Sequence, residues 1–268
     1  KDLQEFKTEG GAHRHPDGLT VASPPLMWVA ALELLFERMK ADKCPLDRVV
    51  AISGSGQQHG SVWLNASARG ALKTLQPGRP LRDQLGGIFA VADSPIWMDS
   101  STTSQCQALE KALGGPQAVA DLTGSRAFER FTGNQIAKIR QTNKTGYEAT
   151  ERIGLVSSFV ASLLVGDHVS IDTSDGSGMN LMNIRTKQWD TAALDCTAPG
   201  LKAKLGGIEP GHQVAGAVHG YFVARYGLKP DCVVIVFSGD NPNSLAGLRL
   251  QKTGDIAISL GTSDTVFG

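Results

Sequence analysis

Apolar positions first recur at helical spacing over residues 26–40, where Trp28, Leu32, Leu35, Phe36 and Met39 make a stripe and Glu33, Glu37, Arg38 and Lys40 fall mostly opposite. Ser23-Pro24-Pro25 precedes this run, a capping residue followed by proline where a first turn tolerates it. The spacing predicts a core-facing helix. The short β-branched run Val49 to Ser53 predicts a buried strand, and Ser61 to Leu64 is expected to return as the second arm of a hairpin. Residues 66–88 read as an excursion, and Ala90 to Trp97 as extended chain. A helix is expected from Thr102 to Leu113, capped by Asp99 or Ser100, followed by short helices over 116–141. Ile153 to Val165 reads as a helical run, Gly176 to Gln188 as a strand bearing a turn, and Ala217 to Tyr226 as a helix. Cys232 to Phe237 is the strongest central strand, because Val233, Val234, Ile235 and Val236 are all apolar and β-branched. A helix over 243–250 and a strand over 255–260 complete the alternation, which defines an α/β class.

Composition narrows this picture. Of 268 residues, 41% are hydrophobic and 19% charged, enough apolar material for a proper core and too little charge for a disordered chain. Lys+Arg and Asp+Glu both number 26, so no generic nucleic-acid or anionic-membrane surface is expected. No apolar run reaches membrane-spanning length. Cys44, Cys106, Cys196 and Cys232 are too scattered for a CxxC site and read as buried, inert thiols of a reducing compartment. His13 and His15 lie two apart without a third ligand nearby and read as loop residues. The chain opens Lys-Asp-Leu-Gln without Met, which points to a missing natural start.

In α/β sheets, ligands gather where strands end. Three apolar strands run into Gly and polar residues. Gly54-x-Gly56 is one, but His59 stands where a dinucleotide fingerprint needs its third glycine. His59, Gln57 and Gln58 offer the donors and acceptors a polyol needs, although a structural histidine in a turn fits the same pattern. Asp240 follows the central strand and is either a general base against a hydroxyl or a helix N-cap. Asn241 beside it can hold a substrate oxygen or brace the turn. Gly261-Thr262-Ser263 has the amides and hydroxyls to surround phosphate oxygens, in a composition common to many turns. No GxxxxGK[ST], GxSxG or HExxH pattern occurs.

Seven segments in collinear order carry a resemblance. They are Ser53-Gly54-Ser55-Gly56-Gln57-Gln58-His59-Gly60, Trp97-Met98-Asp99-Ser100, Leu122-Thr123-Gly124, Phe131-Thr132-Gly133, Asp175-Gly176-Ser177-Gly178-Met179-Asn180, Phe237-Ser238-Gly239-Asp240-Asn241 and Ile258-Ser259-Leu260-Gly261-Thr262-Ser263-Asp264. Together they resemble the FGGY carbohydrate kinases over nearly the whole chain, most closely the eukaryotic members that act on D-xylulose. The resemblance implies an actin/hexokinase-like (ribonuclease H-like) ATPase fold of two α/β domains around a cleft. Residues 1–247 would be the sugar-binding first domain lacking its first hairpin, and 248–268 the start of a truncated ATP-binding second domain. It implies ATP-dependent phosphorylation of D-xylulose to D-xylulose 5-phosphate, or of ribulose, glycerol or gluconate, or a non-catalytic sugar-binding fragment. It implies Asp240 as catalytic base, with His59, Arg130, Asn241 and Gln58 on the sugar and Gly261, Thr262 and Ser263 on ATP phosphates. Arg130 read by itself is a surface ion pair with Glu129 or Asp121. Mg²⁺ would be held mainly through ATP, with no protein metal cluster. The expected partners are the sugar and ATP, without nucleic acid or membrane, in a cytoplasmic monomer or weak homodimer. Within the family's Lys-x-x-Trp pattern Lys138 is kept but Gln141 replaces Trp, and Asp99-Ser100-Ser101 replaces Asp-x-Arg, which leaves the role of Asp99 open.

Overall fold

The structure, a computed structural model, describes residues 3–250, 252–260 and 265–267. Its framework is a mixed sheet whose middle strand is Val233–Ile235, antiparallel to Val214–Ala217 on one side and parallel to Ala51–Ile52 on the other. The two parallel strands pair again further on, Ser238–Gly239 with Ser55–Gly56. Between the two pairings the register slips by one residue, as at a bulge. Both strands therefore end side by side, and the residues that follow them, Gln57 onward and Asp240 onward, emerge at the same edge. The central-strand expectation holds, since Cys232, Val234 and Val236 are buried.

The expected hairpin does not form. Ser61–Asn65 pairs antiparallel with Thr150–Leu155, almost ninety residues later in the chain. The run read as one helix from Ile153 is therefore strand up to Leu155 and helix over Val156–Val165. Ser158 explains the switch, because its hydroxyl accepts the Leu155 N–H at 3.0 Å, one half of a capping box. Strand periodicity puts Val62 and Leu64 in one core with Phe36, Phe222 and Val234, and Trp63 in a second with Ile136, Ile153 and Leu201. Both faces of this ribbon are covered, so its apolar run shows no alternation. Residues 176–188 are likewise the end of a short helix, Thr173–Ser177, and part of a hairpin, Met182–Asn183 with Gln188–Trp189.

The first long helix, Pro25–Ala41, is as expected, but its faces are not. Leu35 is exposed and Glu33 is buried. Glu33 Oε1 accepts from the Leu81 N–H at 2.9 Å and the Tyr221 hydroxyl at 3.0 Å, with Arg225 3.7 Å away, so the buried charge is partnered. All four cysteines are free; Cys106 and Cys232 are buried, Cys44 is half-buried, and Cys196 is exposed, contrary to expectation. Burial pushes the Cys106 thiol up to about 11. Among the described residues no helix is long and apolar enough to cross a membrane.

Candidate functional site

A cleft of about 500 Å³ opens where the two parallel strands end. Gln58, His59, Arg130, Asp240 and Asn241, five residues singled out from sequence, all line it. Gly261, Thr262 and Ser263 lie outside the described residues. Ser259 and Val266, in the two strands that this segment joins, also line the cleft.

Gly56 sets the turn that carries Gln58 and His59. A Cβ there would stand 2.4 Å from the Ser157 backbone nitrogen, so only glycine lets the strand end pack against the start of the Val156–Val165 helix. The glycine pattern thus serves close packing of backbone. His59 has φ of 68°, a left-handed conformation uncommon outside glycine. Its carbonyl accepts from Thr132 Oγ1 at 3.1 Å, and its ring stacks on Phe131 with centroids 4.5 Å apart. Nδ1 lies 3.0 Å from the Gly178 carbonyl, which can only accept, so Nδ1 carries the proton and Nε2 is left as an acceptor. Burial, with the Arg130 charge adding to it, lowers the His59 pKa to about 4 despite the Gly178 hydrogen bond, so the ring is neutral at physiological pH.

Arg130 sits at the end of a loop held by buried amides. Asn180, fully buried at φ 58°, donates to Thr123 Oγ1 at 3.1 Å and the Ser125 carbonyl at 3.2 Å. Asn134 donates to the Phe128 carbonyl at 2.9 Å, and Gln135 and Thr102 donate to the Glu129 carbonyl at 3.0 and 2.5 Å. The Arg130 guanidinium lies 5.1 Å from the Phe128 ring centroid and 5.8 Å from that of Trp97. The cleft therefore combines an arginine on an aromatic platform, a neutral imidazole and two amides. Such a set suits a polyhydroxylated ligand better than an apolar one. Trp97, Phe128, Phe131 and Gly178 belong to it without having been assigned a role from sequence.

Asp240 opens the helix Asp240–Gly247, whose N-cap is Gly239, so it does not cap residues 243–250. Its Oδ1 accepts the Gln58 and Asn241 N–H groups, each at 3.1 Å. Among the described residues none donates to Oδ2. Asn241 Nδ2 donates to Gln58 Oε1 at 2.8 Å, which links the two strand ends by side chains as well. Asp99 is not a helix cap either. It is buried, accepts from Val21 N at 3.0 Å, Ser101 Oγ at 2.5 Å and Gln135 Nε2 at 2.7 Å, and lies 3.9 Å from Lys138. Lys138 in turn reaches Thr20 and Ser101, so Asp99 braces the helix Thr132–Thr142 behind the cleft. Gln141, in the place of the family's Trp, accepts from Gln105 at 2.6 Å. No cluster of three His, Cys, Asp or Glu able to hold a metal exists among the described residues.

The chain is similar to known proteins over its whole length. The N-terminal domain of the FGGY family of carbohydrate kinases matches residues 91–247. The chain is 58% identical over 267 residues to xylulose kinase of Rattus norvegicus, covering 100% of this chain and 50% of that protein. It is 52% identical over 268 residues to xylulose kinase 2 of Arabidopsis thaliana, with 100% and 48% covered. A xylulose kinase from Rhodospirillum rubrum has the same fold at a TM-score of 0.77 and 16% identity, with 95% of this chain and 47% of that one covered. The Plasmodium falciparum glycerol kinase with ADP gives 0.71 and 18%, covering 95% and 47%. The chain spans about half the length of the curated relatives it matches.

Proposed function

Because the chain belongs to the FGGY family of carbohydrate kinases, with its actin/hexokinase-like fold, we propose that the cleft binds D-xylulose and presents a hydroxyl for ATP-dependent phosphorylation. The observation that carries this reading is that Gln58, His59, Arg130, Asp240 and Asn241, far apart in sequence, line one cleft. D-xylulose is favoured over other polyols because relatives at 52–58% identity are xylulose kinases. Residues 1–247 hold the sugar, and 248–268 begin the half that holds ATP.

In this reading His59 Nε2 accepts from a sugar hydroxyl, Arg130 and Asn241 donate to sugar oxygens, and Gln58 holds Asn241 in place. Asp240 takes the proton of the reacting hydroxyl as its oxygen bonds to phosphorus and ADP leaves. The amide N–H groups on Oδ1 fix the carboxylate and leave Oδ2 for that proton. ATP would supply the phosphoryl group, and Mg²⁺, held mainly through ATP, would supply positive charge against the phosphates. Gly261, Thr262 and Ser263 are the residues proposed to meet those phosphates.

The test is Asp240→Ala in the full-length enzyme. Turnover is expected to fall by about 10²–10⁴, the usual worth of a general base. Calorimetry is expected to show D-xylulose still bound. Turnover within threefold of the unaltered enzyme removes Asp240 from that role.

A further inference from the structure

The strand end that delivers Asp240 rests on a second, hidden carboxyl. Asp175 is 2% exposed. Its Oδ2 accepts from Ser157 Oγ at 2.5 Å, while its buried Oδ1 has no hydrogen-bond partner among the described residues. Oδ1 lies against Gly239, where a Cβ would meet it at 2.7 Å and the Gln58 Cγ at 2.5 Å. Asp172, three residues earlier, accepts the Asp175 N–H at 3.1 Å and the Ser238 hydroxyl at 2.5 Å. Two consecutive residues before Asp240 are thus each set by one of these acids, Ser238 by Asp172 and Gly239 by Asp175.

We propose that Asp175 is a positioning residue for phosphoryl transfer: a neutral carboxyl beneath the Gly239–Asp240 junction that fixes it and keeps an additional negative charge away from the base. This rests on the reading of Asp240 as that base.

Three observations support a neutral Asp175. Burial, reinforced by the charges of Asp172 and Asp240 and only partly offset by the Ser157 hydrogen bond, pushes its pKa up to about 7. The helix packed against it contributes an uncharged hydroxyl, Ser157. The turn before the cleft contributes Gln58, an uncharged side chain that lies against the same Gly239. A proton on Asp175 is therefore the cheapest way to keep three acids, Asp172, Asp175 and Asp240, so close together. The transferring phosphoryl group carries negative charge as well, so ionisation of Asp175 opposes the reaction twice, by repelling that group and by loosening the junction.

The experiment uses the full-length enzyme with D-xylulose and Mg-ATP, following ADP release from pH 6 to 9, and sugar affinity by calorimetry. Asp175→Ala is expected to lower kcat by at least thirtyfold with sugar Kd within threefold. Asp175→Asn, a neutral isostere, is expected to recover at least tenfold of that loss. The unaltered enzyme is expected to lose kcat above pH 7, and Asp175→Asn to lack that falling limb. The proposal is overturned if Asp175→Asn is as impaired as Asp175→Ala, if both variants lose sugar affinity in step with kcat, or if the falling limb persists in Asp175→Asn. Should Asp175→Ala fail to fold, the limb in Asp175→Asn decides alone. Asp240→Asn separates the two readings. If it keeps turnover, the base itself is lost and both fall; if it is inactive while Asp175→Asn keeps the limb, only Asp175 is reassigned.

Discussion

The loop 124–131 and the helix Asp240–Gly247 both bring a charged residue to the cleft, and they are held in opposite ways. The loop carrying Arg130 is tied by Asn180, Asn134, Gln135 and Thr102, all buried or nearly so. The helix carrying Asp240 has no buried residue. It is attached at its first turn, by Asp240 and Asn241 to Gln58 and by Asn243 to Gly54 and Ser55. A buried amide that loses its partner costs a full desolvation, whereas an exposed helix end exchanges its bonds with water at little cost. The loop carrying Arg130 is thus held by buried amides, and the helix carrying Asp240 by hydrogen bonds at its first turn.

The sharpest test of that contrast is Asn180→Ala. It strands buried partners and places a non-glycine Cβ at φ 58° without the side-chain bonds that compensate. A loss of about 3 kcal/mol in denaturant unfolding is expected. In the full-length enzyme KM for the sugar should rise more than kcat falls, because Arg130 is displaced and Asp240 is not. An unchanged unfolding midpoint would show that the loop is not held by its amides.

A smaller effect separates the two titrating groups of the site. The folded-state pKa of His59 lies below its ordinary value, so its contribution is present above pH 6.5 and is lost as pH falls towards about 4. Asp175 has the opposite sign; its folded pKa lies above its ordinary value, so stability is fullest below pH 3.8 and is lost as pH rises through about 7. Stability of His59→Gln is expected to fall less steeply between pH 6.5 and about 4, while the lower-pH decline set by Asp17 and Asp167 remains. A decline of equal steepness in His59→Gln would place its origin in other groups.

The smallest expected effect falls on the loosely held side. A methyl group on Gly247 would meet nothing within 4 Å, so Gly247→Ala should stabilise by about 0.4–1 kcal/mol through chain entropy alone. Destabilisation there would mean that this helix end packs against something the contrast leaves out.

Much of the site was legible because its chemistry sits at strand ends. The apolar run Val233 to Val236 announces a buried strand, and a buried parallel strand delivers the residue after it to a shared edge. That logic singled out Asp240 and His59 together. Asp175 stood out only as part of a pattern, since nothing local distinguishes a buried acid from one on a loop. Asp99 invited a cap reading because Asp before a helix usually is one, but besides neighbouring Ser101 its partners, Val21 and Gln135, lie far off in sequence. The hairpin expected at Ser61 failed for a related reason: short-range pairing is the default for adjacent strands, and Thr150–Leu155 shows no local sign that it is the true partner.

The order of polar and apolar residues by itself determined the α/β class, the long first helix, the central strand and the residues whose chemistry suits a polyol. Only the tertiary structure decided which strands pair, that Glu33 turns inward while Leu35 turns out, and that Asp175 lies under Gly239. The physical reason is range: propensity and periodicity act over a few residues, whereas burial and the partners of a charge are set by segments far apart in the chain, 48 residues for Glu33 and Leu81 and 188 for Glu33 and Tyr221.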